Sequence, residues 1–224
     1  QRGSDLFGPK GEIIPNEKLA VDTLKFLAEL SSEGIAIMPD RGTIFDPVFF
    51  SGDIENGEVM CVLGADWYGL DMIQQFCSHL SGEWGILPLP VWDEDKVKRP
   101  TSTFSGQGLL IPSKSKNQDA AWKFMEFVIT DKEANVQRFL QGNSYPAYRP
   151  AWTDPRLIKP ESYFSPVSMG VLVQSMADWI PPVVMHPKRP QAVFMIRENI
   201  FASVMYGQLK PEEAVAQLKK ALSR

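Results

Sequence analysis

The sequence predicts an α/β chain in which helices outnumber strands. Short apolar runs bounded by turn residues, Glu58–Leu63, Trp84–Leu89 and Leu109–Ile111, have the length of buried strands. Longer segments repeat apolar residues every three or four positions and carry helix caps at their ends. The composition is that of an ordinary globular protein: 224 residues, 44% hydrophobic and 22% charged, enough to bury a sizeable core.

The first helix is predicted after Asn16, a plausible N-cap. Ala20, Leu24, Leu27 and Leu30 form its apolar face, and Gly34 closes it. Phe45, Val48, Phe49 and Phe50 suit a short helix packed on the core. Asn56-Gly57 is a turn dipeptide leading into Glu58–Leu63. Gly64 breaks that run, Asp66 stands where a helix cap would be, and residues through Phe76 suit a helix. Trp67 and Tyr68 thus sit at the carboxyl end of a predicted strand, the edge where open α/β sheets bind ligands. From this stretch alone, Trp67 reads either as a ligand platform or as a core aromatic.

In Trp84–Leu89, Pro88 and the following Pro90 exclude a central strand over the whole length. Residues 93–103 are charged, then polar, and suit a connection. Ser105-Gly106-Gln107-Gly108 lets the backbone approach another group closely, before Leu109–Ile111. Ser115-Lys116-Asn117 opens a helix with Ala120, Ala121, Phe124, Phe127 and Val128 as its buried face. Asp131 opens the next, with Ala134, Val136, Phe139 and Leu140 inward. Eight prolines between 150 and 190 leave room for short helices such as Ser168–Trp179. Residues 191–206 read as a long helix with Val193, Ile196, Ile200 and Val204 on one side, stopped by Gly207. Pro211 and the acids Glu212 and Glu213 start the last helix, whose stripe is Ala214, Leu218 and Ala221.

Net charge is −4 without a dense basic block, which argues against a nucleic-acid partner. No apolar run is long enough to cross a bilayer, and the start has no leader pattern. Cys61 and Cys77 read as two separate buried thiols rather than a bridge. With His79 and His186 the only histidines, material for a His-based triad or metal site is scarce. Neither a P-loop nor a serine elbow nor a zinc-protease motif occurs. Asp46, Asp53 and Glu55 read as solvated loop carboxylates. No acid pair stands in an apolar setting that would raise a pKa. No catalytic residue, metal ligand or cofactor is expected.

Taken together, these pieces resemble the carboxyl-terminal half of an extracellular solute-binding protein of an ABC importer, of the group that binds sugars. The resemblance rests on Asn16 to Gly34 and on Phe49 to Trp67. It continues in Trp84-Gly85-Ile86 with Pro88-Leu89-Pro90, and in Gly106-Gln107-Gly108 through Ile111 with Ser115-Lys116-Asn117 and Ala120 to Phe127. Gly142 to Ala151 and Gly207 to Leu218 complete it. Each piece is short, but their order covers nearly the whole chain. It implies a helix-rich periplasmic-binding-protein-like (type II) α/β fold, two lobes joined by a hinge, here incomplete. Residues 1–98 and 150–224 would form the carboxyl lobe, and 99–149 would cross to complete an amino lobe lying before Gln1.

The implied function is capture of a sugar or oligosaccharide by hinge closure, without covalent chemistry. An aromatic ring suits the C–H face of a sugar, and fixed polar groups suit its hydroxyls. Trp67 matches the family's stacking tryptophan. Asp66 and Gln107 are candidates for hydroxyl bonds, with helix capping the alternative for Asp66. Tyr68 and Tyr145 suit either contact. Gly106 allows close ligand approach, and Phe194 either adds an aromatic wall or faces the core. The implied partners are the sugar, the transporter's membrane subunits, and the missing lobe or a second copy. The implied location is extracellular or periplasmic, tethered through an N-terminal segment absent here. Two other readings stay open: a carbohydrate-active enzyme, and a sensor or interaction domain reusing the fold.

Overall fold

Asn16 shows how locally the helices are specified. Its side chain accepts a hydrogen bond from the backbone N–H of Leu19 at 3.1 Å, and Gly34, at φ 70°, follows the last turn. This helix, α1, spans Glu17–Ser32 in a computed structural model that describes residues 1–38, 44–103, 108–164 and 166–223. The other helices of five residues or more with α geometry are α2 (Gln118–Thr130), α3 (Lys132–Gly142), α4 (Met169–Met176), α5 (Arg189–Met195), α6 (Phe201–Met205) and α7 (Pro211–Leu222). Wider π-helical turns occupy Phe49–Ile54, Tyr68–Ile73 and Ile196–Ile200.

The described chain forms two compact units. The first comprises Gln1–Phe49, Trp92–Lys98 and Pro181–Arg224; the second comprises Phe50–Val91 and Arg99–Ile180.

In the first unit, α7 presents Ala214, Val215, Leu218 and Leu222 to a core shared with Phe7, Ile14, Ala192, Ile200 and Val204. Fully burying one such aliphatic side chain stabilises by about 1.5–3 kcal/mol. Pro211, Glu212 and Glu213 occupy the first turn of α7, and Lys219 and Lys220 the last. Lys188 Nζ donates to the Leu222 carbonyl at 2.6 Å, which satisfies one of the orphan acceptors at that helix end. Asp5 accepts from the backbone N–H of Val184 at 2.8 Å and pairs with Arg189. Arg2 lies over the Trp92 ring at 4.0 Å and pairs with Glu94 at 3.0 Å.

The predicted long helix at 191–206 is broken into α5, a π turn and α6. Ala192, Ile200 and Val204 are buried, whereas Val193 is 49% exposed. A widened turn keeps residues four apart on one face, which moves the stripe one position from the expected start.

In the second unit, the π turn Tyr68–Ile73 buries Tyr68, Leu70 and Ile73. Around them lie Phe50, Ile54, Cys77, Tyr163 and Phe164. Tyr163 donates its hydroxyl to the Cys77 carbonyl at 2.7 Å, and burial pushes that phenol up to about 12. Asp131 caps α3 by accepting from the Ala134 N–H at 2.7 Å. Buried Asn135 donates to the carbonyls of Ile129 at 3.0 Å and Asp131 at 2.8 Å, so one amide closes the end of α2.

Several expectations are corrected. Glu58–Leu63, Trp84–Leu89 and Leu109–Ile111 form no strand; among the described residues the only ladder contact is the antiparallel bridge Phe7–Ile13. Met60 is 86% exposed and Leu110 92%, because a strand is buried only by neighbours that pair with it and cover it. Cys61 is therefore exposed, and only Cys77 is a buried thiol; both are free. α2 forms as expected but buries no residue, and Phe124 and Phe127 point outward. Leu140 is likewise exposed. Asp46 is buried rather than solvated, because its carboxylate accepts from the Val48 N–H at 2.9 Å.

Candidate ligand site

Gly64 brings the chain close over the Tyr68 ring: a Cβ there would lie 3.3 Å from Tyr68 Cβ and Cδ1. Asp66 and Trp67 then form the first helical residues, so Asp66 lies inside the turn rather than before it as a cap. Tyr68 is 2% exposed, stacked near Phe50 at 6.2 Å. Trp67 is half-buried and meets Tyr68 edge-on, with centroids 6.0 Å apart and planes at 74°. Burial pushes the Tyr68 phenol above its ordinary value, with a further push from Cys77. Tyr68 is thus a support for Trp67 rather than an accessible ligand contact.

Tyr145 belongs to the same unit. Its hydroxyl accepts from Gln174 Nε2 at 2.7 Å, and its ring packs edge-on against Phe139 at 5.1 Å and tilted against Trp152 at 5.9 Å. Burial raises its phenol, opposed by the Gln174 hydrogen bond. Gly170 allows this packing: a Cβ there would lie 1.7 Å from the Leu157 carbonyl oxygen and 3.1 Å from Tyr145 Cε2. Just upstream, Asn143 takes the left-handed conformation at φ 51° and donates to the Leu70 carbonyl at 3.3 Å and to Asp71 at 2.9 Å. The loop carrying Tyr145 is therefore fastened to the π turn that begins beside Trp67.

Gly106 and Gln107 lie outside the described residues. Phe194 lies in the first unit, at the end of α5, and is 62% exposed, so it faces away from the core. Gln174 and Trp152, which support Tyr145, stand in no motif and so were invisible to sequence reasoning. A cavity of about 440 Å³ in the second unit, lined in part by Gln74, Asn143, Lys159 and Glu161, was equally invisible. Among the described residues, no cluster of three or more His, Cys, Asp or Glu side chains could hold a metal ion. No helix among them is long and apolar enough to cross a membrane.

Residues 52–135, which include Trp67 and the whole of α2, match the model of the bacterial extracellular solute-binding protein family. The chain is also similar to two arabinooligosaccharide-binding proteins. That of Bacillus subtilis strain 168 is 23% identical over 96% of this chain and 50% of its own length. That of Halalkalibacterium halodurans is 23% identical over 99% of this chain and 49% of its own. The chain spans about half the length of these curated relatives. At the level of the family, the relatives are binding proteins rather than enzymes.

Proposed function

We propose that this chain is part of the ligand-capturing subunit of an ABC importer, and that it takes up sugar, specifically arabinose-containing oligosaccharide. The observation that carries this reading is the match of 96% and 99% of the chain to two proteins that bind arabinooligosaccharides. Trp67 supplies the platform for a sugar ring, held at its angle by buried Tyr68. Asp66 and Gln107 bond hydroxyls, Gly106 lets the ligand approach the backbone, and Tyr145 and Phe194 add contacts. Capture proceeds by closure of two lobes about a hinge, with no covalent step.

Residues 1–98 and 150–224 are assigned to the carboxyl lobe and 99–149 to the crossing segment. The apolar runs that lie unpaired here would enter sheets with the remaining half of the polypeptide, and α2 would gain cover from it. The captured sugar passes to the importer's membrane subunits outside the cell or in the periplasm, where a membrane tether keeps the protein near them. Calorimetric titration of the complete polypeptide with arabinotriose, alongside maltotriose, tests the reading. Saturable binding of arabinotriose at least about tenfold tighter than maltotriose is expected. No heat from arabinotriose would overturn it.

A further inference from the structure

Trp67 leads into the π turn Tyr68–Ile73, and its own backbone, at φ −62° and ψ −27°, is already helical. The direction of its ring is therefore set by the turn that follows. A turn this wide is rare, and its relaxation to ordinary α pitch would rotate Trp67 relative to the buried residues of the turn. The core holds the inner side: Tyr68, Leu70 and Ile73 are buried, and a Cβ on Gly69 would lie 3.1 Å from Phe164 Cζ.

The half-buried side is held by Asn143. Both hydrogens of its amide are used there, one on the Leu70 carbonyl at 3.3 Å and one on Asp71 Oδ1 at 2.9 Å. Asn143 ends α3 in the left-handed region, at φ 51° and ψ 24°, with its backbone N–H on the Phe139 carbonyl at 3.0 Å. A helix end of this kind asks only for a residue that tolerates positive φ, and glycine meets that without strain. The asparagine amide is thus more than α3 itself requires, and it is spent on the π turn some seventy residues earlier in the chain.

We propose that Asn143 is a positioning residue for Trp67: its amide locks the π turn and so fixes the direction of the ring that receives the sugar. The part concerning sugar rests on the importer reading; the locking of Trp67 does not. The complete polypeptide is labelled with fluorotryptophan, and the Trp67 fluorine resonance is assigned by its loss in Trp67→Phe. Asn143→Gly keeps the left-handed backbone and removes the amide. Asn143→Asp sets a carboxylate against Asp71, and adding Asp71→Asn restores a donor and an acceptor with their places exchanged. All variants are read well below their melting temperatures. In Asn143→Gly the Trp67 resonance should shift while those of Trp92 and Trp122 stay, and arabinotriose affinity by calorimetry should fall at least about tenfold. Asn143→Asp should behave alike. The exchanged pair should return the resonance towards its original position and regain more than about threefold in affinity over Asn143→Asp, beyond what independent sites give. Three results would overturn the proposal: an unmoved Trp67 resonance in Asn143→Gly, a shift shared by Trp92 and Trp122, or an exchanged pair no nearer the unmodified protein than Asn143→Asp. Absence of arabinotriose binding in the unmodified protein would count against the importer reading alone, and the fluorine shifts would then decide the positioning by themselves.

Discussion

Trp67 meets Tyr68 edge-on, ring centroids 6.0 Å apart, with the tyrosine 2% exposed beneath a half-buried tryptophan. Adjacent residues so placed divide the work: one is packed, the other presented. Tyr68→Ala should therefore cost about 3–5 kcal/mol of stability, the range for a large buried aromatic. Urea unfolding measures it. A loss below 1 kcal/mol would place Tyr68 outside the core.

Gly170 is buried with the Leu157 carbonyl oxygen 1.7 Å from where a Cβ would lie. A backbone atom cannot swing aside as a long side chain can. Gly170→Ala should destabilise by about 1–3 kcal/mol or more and should disturb Tyr145, whose ring also borders the site. Melting temperature and near-UV circular dichroism report the two effects, and an unchanged melt would contradict the packing described.

Arg156 links Glu133 and Asp154, and holds Glu133 down to about 2 from an ordinary value of 4.5, with help from Gln137. A depressed carboxylate contributes stability that is fully present above the unfolded value and lost as pH falls through the folded one. The difference in melting temperature between the protein and Arg156→Met should be full above pH 4.5 and fade towards pH 2. It should be small, because the group is exposed. A difference that stays constant across this window would contradict the pairing.

The apolar surface of α2 makes a prediction about association. Trp122, Phe124 and Phe127 are 59%, 64% and 56% exposed on a helix that buries no residue. Such patches are rare on monomers. The 224-residue chain should bind an apolar dye and self-associate at high concentration, and Phe124→Asp with Phe127→Lys should reduce both without lowering the melt. A monomer by light scattering with no dye binding would count against it.

What the sequence revealed follows from the range of each interaction. Asn16, Gly34, Asp131, Ser168 and Pro211 act within one helical turn, and the helix ends they mark are where they were expected. Trp67 stands out in the sequence as a candidate because a turn, an apolar run and a glycine precede it. Burial was less legible, since the apolar runs at 58–63 and 109–111 record a demand for cover but not its source. The π turn in 196–200 shifted a helical stripe that periodicity alone had placed. Asp46, Gly170 and Glu161 owe their roles to backbone groups that meet them only after folding, and nothing in their immediate neighbours announces it.

The central claim is that Trp67 receives a sugar ring. Trp67→Ala in the complete polypeptide, followed by calorimetric arabinotriose titration and thermal melting on one preparation, tests it directly. Truncating such an aromatic anchor should cost about 2 kcal/mol or more of binding, roughly a thirtyfold loss of affinity, with little change in melting temperature. Unchanged affinity together with a large drop in melting temperature would contradict the claim and make Trp67 a core residue.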